Sequence, residues 1–239
     1  MMNKPSSPYQ PLLLRIFHNL QGIFVILAIL TAIWTYNTYD GRWGKIFLPH
    51  WKEIEGIHGT FGLFSLLIFP FFLLYAFHRG GKKLVQNDTL KQLKVINKPI
   101  WWYSLHRTVN TLSIFSLTFA LFSGKMMNEK WLPKGELNHF WYSLHLLSLI
   151  IIIFFIALHI LMNVKIGGLP LILSILNYQW LEKDNPQLWL ENIKDLLLNW
   201  RTKLNVIKLF IIREWQNLPL HFQILEAGIF FIILLAWLK

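Results

Sequence analysis

The sequence predicts an all-α integral membrane protein. Of its 239 residues, 54% are hydrophobic and only 15% are charged, whereas charged residues make up about 25% of an ordinary soluble domain. This composition argues against a soluble enzyme, a disordered chain and a disulfide-rich scaffold. Because cysteine is absent, any metal or cofactor must be held by histidine, methionine or oxygen ligands.

Long apolar segments supply the helices of the predicted bundle, since the hydrocarbon core of a bilayer requires about 20 mostly apolar residues. Four segments meet this requirement, and they lie near residues 12–36, 52–78, 100–124 and 138–164. A fifth segment near residues 219–238 is weaker, because its strongly apolar part is short and Glu226 interrupts it. We expect a four-helix transmembrane bundle over residues 1–165, and an amphipathic helix and a fifth span over residues 166–239.

Basic residues predict the orientation of these segments. Lysine and arginine concentrate in the loop between the second and third segments and in the stretch after the fourth, whereas acidic residues nearly cancel them in the other two loops. Loops rich in lysine and arginine stay on the cytoplasmic side, here called the n-side. We therefore place the N-terminus there, in a bacterial-type inner membrane. The membrane topology and contact with anionic membrane lipid then explain the net charge of +11, and no binding of nucleic acid is needed to explain it.

Residues 187–218 differ in kind from the apolar segments. Apolar residues recur there every three or four positions, which predicts one apolar stripe along a helix. The stripe consists of Trp189, Ile193, Leu196, Trp200, Leu204, Ile207, Ile211, Trp215 and Leu218. Such a helix is expected to lie flat on lipid in the n-side interface, or alternatively to present a docking face to a partner subunit. Upstream of it, the fourth segment is expected to end at Gly167, Gly168 and Pro170.

Two histidines in the fourth segment carry the most specific signal. His145 and His159 are fourteen residues apart, so on a helix they lie on nearly the same face and about 21 Å apart along the axis. Ionisable groups inside membrane spans are rare and mark function. This geometry suits two stacked haems, each of which requires a second axial ligand from another helix.

Depth in the bilayer matches these two histidines with two others. His18 lies about two turns into the first segment from the n-side, at a depth similar to that of His159. His58 lies in the first turns of the second segment on the opposite side, the p-side, at a depth similar to that of His145. We therefore predict one haem iron between His18 and His159, and a second between His58 and His145.

Two glycines accompany these histidines. Gly22 follows His18 by four residues and Gly62 follows His58 by four, so each glycine shares a helical face with its histidine. Glycine at these positions leaves room for a flat macrocycle against the backbone. Close helix–helix packing, which favours small residues in membranes, is an equally good explanation.

With these features, the sequence resembles the bacterial di-haem cytochrome b561 superfamily, which includes the cytochrome b subunits of nickel–iron hydrogenase and formate dehydrogenase. The resemblance covers roughly residues 12–165. It rests on RIFH ending at His18, GIHGTFG around His58, LFSGKMMNEKWLP closing the third segment, and LHLLSLIIIIFFIALHILMNV in the fourth. It implies haem b ligands at the four paired histidines, and electron transfer between a redox partner and a quinone near one haem. Asn19 departs from the tryptophan that often follows the first histidine in this family.

Further polar residues are candidates for contacts with a quinone or with haem propionates. His106, Arg107 and Asn110 open the third segment on the n-side and are predicted to line a quinone pocket with Asn97. A histidine supplies both a hydrogen-bond donor and a proton near neutral pH. Arg15 is predicted to pair with a haem propionate, since arginine matches carboxylates bidentately.

Alternatives remain for the ligands and for the function. His106 is an alternative n-side haem ligand in place of His18. The chain is either a subunit that anchors a larger oxidoreductase complex or a standalone quinone-linked cytochrome. A non-redox membrane scaffold or assembly subunit is the hypothesis from another class. His78 is expected to anchor its segment at the interface, and His221 and Glu226 do not share a helical face, so no chemistry is assigned to them.

Overall fold

The computed structural model describes residues 9–127 and 137–239. Within these ranges the regular secondary structure is entirely helical, which confirms the predicted all-α class. The α-helices are α1 (Leu12–Tyr39), α2 (Ile54–His78), α3 (Thr89–Gln92), α4 (Pro99–Met126), α5 (Phe140–Leu176), α6 (Pro186–Leu198), α7 (Trp200–Gln216) and α8 (Leu220–Leu238).

The chain is an integral membrane protein. Four of the described helices are long and apolar enough to cross a bilayer, namely α1, α2, α5 and α8. By length and composition, α8 therefore agrees with the predicted fifth span. Helix α4 has 28 residues, as many as α1, but it is more polar.

The polarity of α4 follows from its place in the bundle. It runs antiparallel to α5 and packs on α5 along its length, while α8 and α2 cover other parts of its surface. Its buried polar residues include Ser104, His106, Thr111, Ser116, Thr118 and Ser123. Several of these hydroxyls bond to carbonyls of their own helix, as Thr118 does to Ile114 at 2.9 Å. Because protein covers these groups, α4 needs less apolar surface than a lipid-exposed helix. The assignment of α4 as a membrane span stays a prediction.

Two helical hairpins form the main body of the bundle. Helix α1 packs mainly on α2, and α4 packs mainly on α5, whereas the two hairpins contact each other far less. The apolar core lies mostly among α2, α4 and α8, with residues such as Leu66, Phe69, Ile114, Leu117, Ile229 and Ile233. The histidines of α1, α2 and α5 do not belong to this core, but Phe72, which packs on it, contacts the ring of His18.

Helix α5 consists of two helical stretches joined at Gly168. The backbone of Gly168 is not helical, since φ is 61° and ψ is −163°. Glycine adopts this region of positive φ at little cost. Pro170 follows and lacks the N–H that a continuous helix would use. The first stretch therefore ends where the sequence predicts, at Gly167 and Gly168, and a second stretch continues to Leu176 in a new direction.

The prediction of a single amphipathic helix over residues 187–218 was wrong. The structure has two helices there, α6 and α7, which are divided at Asn199, where φ is −112° and ψ is 26°. The side chain of Asn199 donates to Asp195 Oδ1 at 2.8 Å, a local bond that competes with helix continuation. The apolar repeat passes through this break without losing its phase, so periodicity alone could not reveal it. Both helices expose members of the predicted apolar stripe, including Ile193, Leu204 and Ile211. Contact of this stripe with lipid or with a partner subunit stays a prediction.

Contacts between distant segments close the bundle at both ends. At the end that carries the N-terminus, Tyr9 bonds to Asp184 and Lys83 Nζ donates to Gln10 Oε1 at 2.6 Å. At the opposite end, Asp40 accepts from Tyr142 at 2.8 Å. The basic loop after α2 and the chain after α5 thus share one end, as the predicted topology requires. The cytoplasmic placement of this end and the division of the chain at residue 165 stay predictions.

Candidate functional site

The four histidines that the sequence matched by depth face each other in the same two pairs. The ring centres of His18 on α1 and His159 on α5 are 6.1 Å apart, with 33° between the ring planes. Those of His58 on α2 and His145 on α5 are 5.9 Å apart, with 52° between the planes. Because His145 and His159 belong to the same helix, the two pairs lie one above the other through the bundle.

The spacing within each pair fits two ligands of a single metal ion. A bond between a metal ion and a histidine nitrogen is about 2.1 Å long, and the ring centre lies about 1.1 Å beyond the nitrogen, so two opposed imidazole ligands have ring centres about 6.4 Å apart. The observed values of 6.1 and 5.9 Å are close to this distance. The chemistry of the donor set, two neutral imidazoles at each level, also suits haem iron.

The protein orients the ring of His58 through its second nitrogen. His58 Nδ1 lies 3.0 Å from the carbonyl oxygen of Ala28 and 3.3 Å from the hydroxyl of Thr31, both on α1. A carbonyl oxygen only accepts, so Nδ1 carries the proton and Nε2 keeps a lone pair available to a metal. Neither Ala28 nor Thr31 was predicted as a site residue, because the sequence does not reveal the rotation of α1 relative to α2.

His145 is held by the Ser-Gly pair near the end of α4. Ser123 Oγ lies 3.1 Å from His145 Nδ1 and 3.2 Å from the carbonyl oxygen of Ala120. A serine hydroxyl that donates to this carbonyl accepts from Nδ1, which again leaves Nε2 free. A Cβ atom on Gly124 would lie only 2.9 Å from His145 Cε1. Ser123 and Gly124 belong to the family motif, but no individual role was predicted for them. Residues 128–133 of that motif lie outside the described residues.

Asn110 orients His159. Its Oδ1 lies 2.9 Å from His159 Nδ1, while its Nδ2 donates to the carbonyl oxygen of Lys83 at 2.9 Å. The bond to Lys83 identifies Nδ2 as the donor, so Oδ1 is the atom that accepts from the imidazole. Both polar atoms of Asn110 are thus engaged within the protein, whereas the sequence suggested that they face a quinone.

His18 differs from the other three histidines. Its Nδ1 is buried and has no hydrogen-bond partner within the described residues. Its ring lies edge-on to Phe72 of α2, with the ring centres 6.0 Å apart. Packing against Phe72, rather than a second hydrogen bond, therefore positions this ring.

Gly22 and Gly62 border space on the histidine faces of α1 and α2. A Cβ atom built on either residue would meet no atom within 4 Å, apart from the glycine's immediate chain neighbours and its own helical backbone. Close packing against another helix would place atoms at these positions, so the packing explanation gains no support here. A flat group beside His18 or His58 would therefore meet no side chain from these residues.

The remaining predicted residues lie at the end of the bundle where α1 begins, the end predicted to face the n-side. His106 is buried, with its Nε2 3.4 Å from Asn163 Oδ1 and 3.3 Å from Asn110 Nδ2. Two amides link it to His159: Asn110 Oδ1 accepts from His159 Nδ1, and Asn163 Nδ2 lies 3.4 Å from His159 Nε2. A metal ion bound at His159 Nε2 would replace this second contact. The imidazole that faces His159 is that of His18. Arg107 Nε donates to the carbonyl oxygen of Lys82 at 3.1 Å.

Arg15, on α1, packs beside the C-terminal end of α5. Its guanidinium donates to the carbonyl oxygens of Asn177 and, at 2.8 Å, of Gln179, and its Nε is buried without a hydrogen-bond partner in the described part of the chain. Basic side chains bind the free carbonyls at helix C-termini in this way. A contact between Arg15 and a haem propionate stays a prediction.

The family profile described as prokaryotic cytochrome b561 matches residues 9–177. The chain belongs to this family. The match includes α1 to α5 and all four paired histidines, so the predicted resemblance is confirmed and extends beyond residues 12–165 at both ends. In comparisons with curated proteins and with solved structures, there is no significant match.

Membership of the family defines the general activity. Cytochromes b561 carry electrons across membranes with haem b, so this chain is a transmembrane electron carrier that binds haem b. The same finding argues against the non-redox scaffold. Helices α6, α7 and α8 lie beyond the matched residues.

Proposed function

We propose that the chain binds two haems b, one between His18 and His159 near the n-side and one between His58 and His145 near the p-side. The observation that carries this proposal is the presence of two facing histidine pairs at different depths, each with the spacing of two ligands on one metal ion. In each pair, the two histidines would hold the haem through their imidazole nitrogens, and the bound group would supply one-electron transfer.

The protein's own residues orient and insulate these sites. Acceptors from Ala28, Ser123 and Asn110 support protonation of Nδ1 on three of the four histidines. Such bonds raise the basicity of an imidazole ligand and fix its tautomer. The side chains of His18, His58, His145 and His159 are half-buried in the bundle, and burial is a main control of haem potential.

The proposed electron path links a p-side redox partner, or a larger oxidoreductase complex, with a quinone at the n-side. A pocket of about 290 Å³ at the start of α4 supports a quinone site there. It is lined by Asn97, Pro99, Trp102, Tyr103, Lys165 and Ile166. Its aromatic walls suit a quinone ring, and Asn97 and Lys165 supply hydrogen-bond donors for a quinone carbonyl.

His106 connects this pocket with the n-side histidine pair. It lies one helical turn beyond Trp102 on the same face of α4, and Asn110 and Asn163 link it to His159. In this proposal His106 lies between the quinone and His159, while Arg107 and Asn110 support the loop after α2 through its carbonyls.

Haem content and optical spectra of the detergent-purified chain test the two sites. We expect a b-type α-band in the dithionite-reduced minus oxidised spectrum and about two haems per chain. Replacing His58 or His145 with leucine should remove one haem, and replacing His18 or His159 should remove the other. His50→Gln, at an exposed position, is the control that should keep both.

The pairing itself is tested by combining substitutions. The double variant H18L/H159L should retain the same single haem as H159L, because both residues serve one iron. H145L/H159L should retain none. A chain with one haem would restrict the proposal to one pair, and a colourless chain produced with adequate haem would overturn it.

A further inference from the structure

A fully buried carboxylate lies inside α8, outside the part of the chain that matches the family. The side chain of Glu226 is 0% exposed, and its two oxygens make no hydrogen bond within the described residues. Its ion-pair partner is His78 at the end of α2, whose Nε2 lies 3.3 Å from Glu226 Oε1. A buried acid in a membrane span is costly, and such residues commonly belong to proton or ion pathways.

The other nitrogen of His78 faces a second acid. His78 Nδ1 lies 4.0 Å from Oε2 of Glu214, near the end of α7. The side chain of Glu214 is 30% exposed, that of His78 is 17% exposed and that of Glu226 is fully covered. The imidazole thus lies between a solvent-accessible carboxylate and a buried one, and an imidazole is able to accept a proton at one nitrogen and release a proton from the other.

We propose that Glu214, His78 and Glu226 form a proton-transfer path that carries a proton from the n-side surface to Glu226 when the n-side haem is reduced. This inference rests on the proposed function. A proton from water binds Glu214 and passes to Nδ1 of His78 through one bridging water, because the 4.0 Å between Glu214 Oε2 and Nδ1 is too long for a direct hydrogen bond. The proton on Nε2 then passes to the carboxylate of Glu226. The redox partner supplies one electron and water supplies one proton, so the buried region gains no net charge.

The position of the pair explains why it would respond to haem reduction. Phe72 of α2 contacts the ring of His18 and packs on the same apolar cluster as Phe77 and Phe222, whose ring centres are 5.6 Å apart. Glu226 lies one helical turn beyond Phe222. An apolar region screens charge weakly, so an added electron favours protonation of a nearby carboxylate.

The other charged groups around the pair lie on neighbouring segments. Arg79, Lys82 and Lys83 follow His78 in the chain. On α4, Arg107 donates to the Lys82 carbonyl, and no residue of α4 forms an ion pair with Glu226 among the described residues. On α8, His221 has a buried Nε2 without a hydrogen-bond partner in the described chain, but it lies five residues before Glu226, on a different helical face.

A purely structural role, in which the ion pair only holds α8 against α2, predicts different behaviour. A structural tie affects stability but does not couple the haem potential to pH, and it has no role for Glu214. A proton path predicts that replacing Glu226, at its end, changes the pH dependence of the haem potential. It also predicts that replacing Glu214, at its entrance, changes the rate of proton uptake.

The experiment uses the full-length, haem-loaded protein. In the wild type we expect the midpoint potential of the n-side haem to fall as pH rises, because reduction brings a proton. Glu226→Gln should abolish this pH dependence while both haems remain. Glu214→Gln should keep the dependence at equilibrium but slow proton uptake after rapid reduction by roughly tenfold or more, as followed with a pH-indicator dye. Glu191→Gln, an exposed acid on α6, should change neither quantity.

Two results would overturn the path and leave the proposed function intact: a wild-type n-side potential that is independent of pH, or unchanged pH dependence in Glu226→Gln. Absence of haem from the wild type would instead overturn the proposed function. The reduced-minus-oxidised infrared spectrum of the wild type tests the path without any substitution. A carbonyl band of a protonated carboxylic acid should appear on reduction and shift in D2O, and its absence also contradicts the proposal.

Discussion

Oδ1 of Asn110 accepts a hydrogen bond from Nδ1 of His159, and the two atoms are 2.9 Å apart. The carbonyl of Lys83 fixes the orientation of the same amide. In the proposed haem site, an acceptor on Nδ1 would give the imidazole partial imidazolate character and so would stabilise oxidised iron held by Nε2. Asn110 would then control the electronic character of this ligand without binding the metal itself.

Asn110→Leu should raise the midpoint potential of the n-side haem. The lost hydrogen bond is worth about 1 kcal/mol, which corresponds to about 40 mV for a one-electron couple. Asn110→Asp should lower the potential, because a carboxylate is a stronger acceptor. Spectroelectrochemical titration measures both haems, and the p-side potential is the internal reference. Ser113→Ala, which removes only hydroxyl contacts with backbone carbonyls, is the control. Equal shifts of both haems would contradict this role.

Gly124→Val should remove the p-side haem selectively. A Cβ atom at this position would lie 2.9 Å from Cε1 of His145, so the ring must move away from its present position. A ligand displaced by even a fraction of an ångström no longer faces His58 correctly. We expect about one haem per chain in the pyridine haemochrome assay, with the n-side haem retained. Gly228→Val is the matched control in α8, where a Cβ would meet nothing within 4 Å, and it should keep both haems.

Bulky residues at Gly22 and Gly62 should each remove a different haem. Both glycines border space beside a histidine, and a phenylalanine ring at either position would occupy the volume that a flat macrocycle needs. Gly22→Phe should lose the n-side haem and keep the p-side haem, whereas Gly62→Phe should do the reverse. Difference spectra and haem-resolved redox titrations distinguish the two outcomes. Two retained haems in both variants would show that the macrocycles lie elsewhere.

Helical periodicity and span depth were sufficient to predict which histidines face each other. His145 and His159 share a helix, so their separation is fixed locally, and the bilayer fixes the depths of His18 and His58. The partners of these histidines could not be predicted in the same way. Whether Asn110 points at His159 or at the lipid depends on the rotation of α4 against α5, which is decided by packing along the whole interface.

The same limit applies to Glu226 and to Asn199. His78 and Glu226 lie far apart in the chain. In the sequence, His78 resembles an ordinary interfacial histidine, and Glu226 only interrupts an apolar segment. Their contact exists only because α8 returns to pack on α2. The apolar repeat continues through the break between α6 and α7, so the hydrophobic pattern alone predicts a single helix. In the structure, the chain forms two helices, and the side chain of Asn199 bonds to Asp195 at the break.

Lys83→Met should lower the potential of the n-side haem. Lys83 lies next to the residues that orient His159: its carbonyl oxygen accepts from Asn110, which also binds His159 Nδ1. Its Nζ donates to Gln10 Oε1 at 2.6 Å. A nearby cation favours the reduced, more negative form of the site, so its removal favours the oxidised form. The shift should shrink at high salt if solvent screens the lysine. Lys82→Met, at the neighbouring and likewise exposed position, should have a smaller effect, and an equal shift would contradict a specific role of Lys83.

Asp40 makes the stability of the p-side end depend on pH. Burial alone would raise the pKa of this carboxyl, but hydrogen bonds from Arg42 and Tyr142 outweigh burial and hold the pKa below its ordinary value of 3.8. Arg42 Nε lies 2.9 Å from Asp40 Oδ1, and Tyr142 joins the start of α5 to the same carboxylate at 2.8 Å. The interaction therefore ties the end of α1 to α5.

The direction of the effect follows from this lowered pKa. The unfolded chain binds a proton at Asp40 more readily than the folded chain does, so the stabilisation is complete above about pH 4 and is lost as pH falls through the folded-state pKa. Asp40→Asn should lower Tm at neutral pH, and the difference from the wild type should shrink in strong acid. Thermal melts followed by tryptophan fluorescence measure this difference. Asp88→Asn, which removes an exposed carboxylate bound to Gln92 nearby in the chain, should have a smaller effect. A Tm difference at Asp40 that stayed constant into strong acid would show that the carboxylate's charge does not hold α1 to α5.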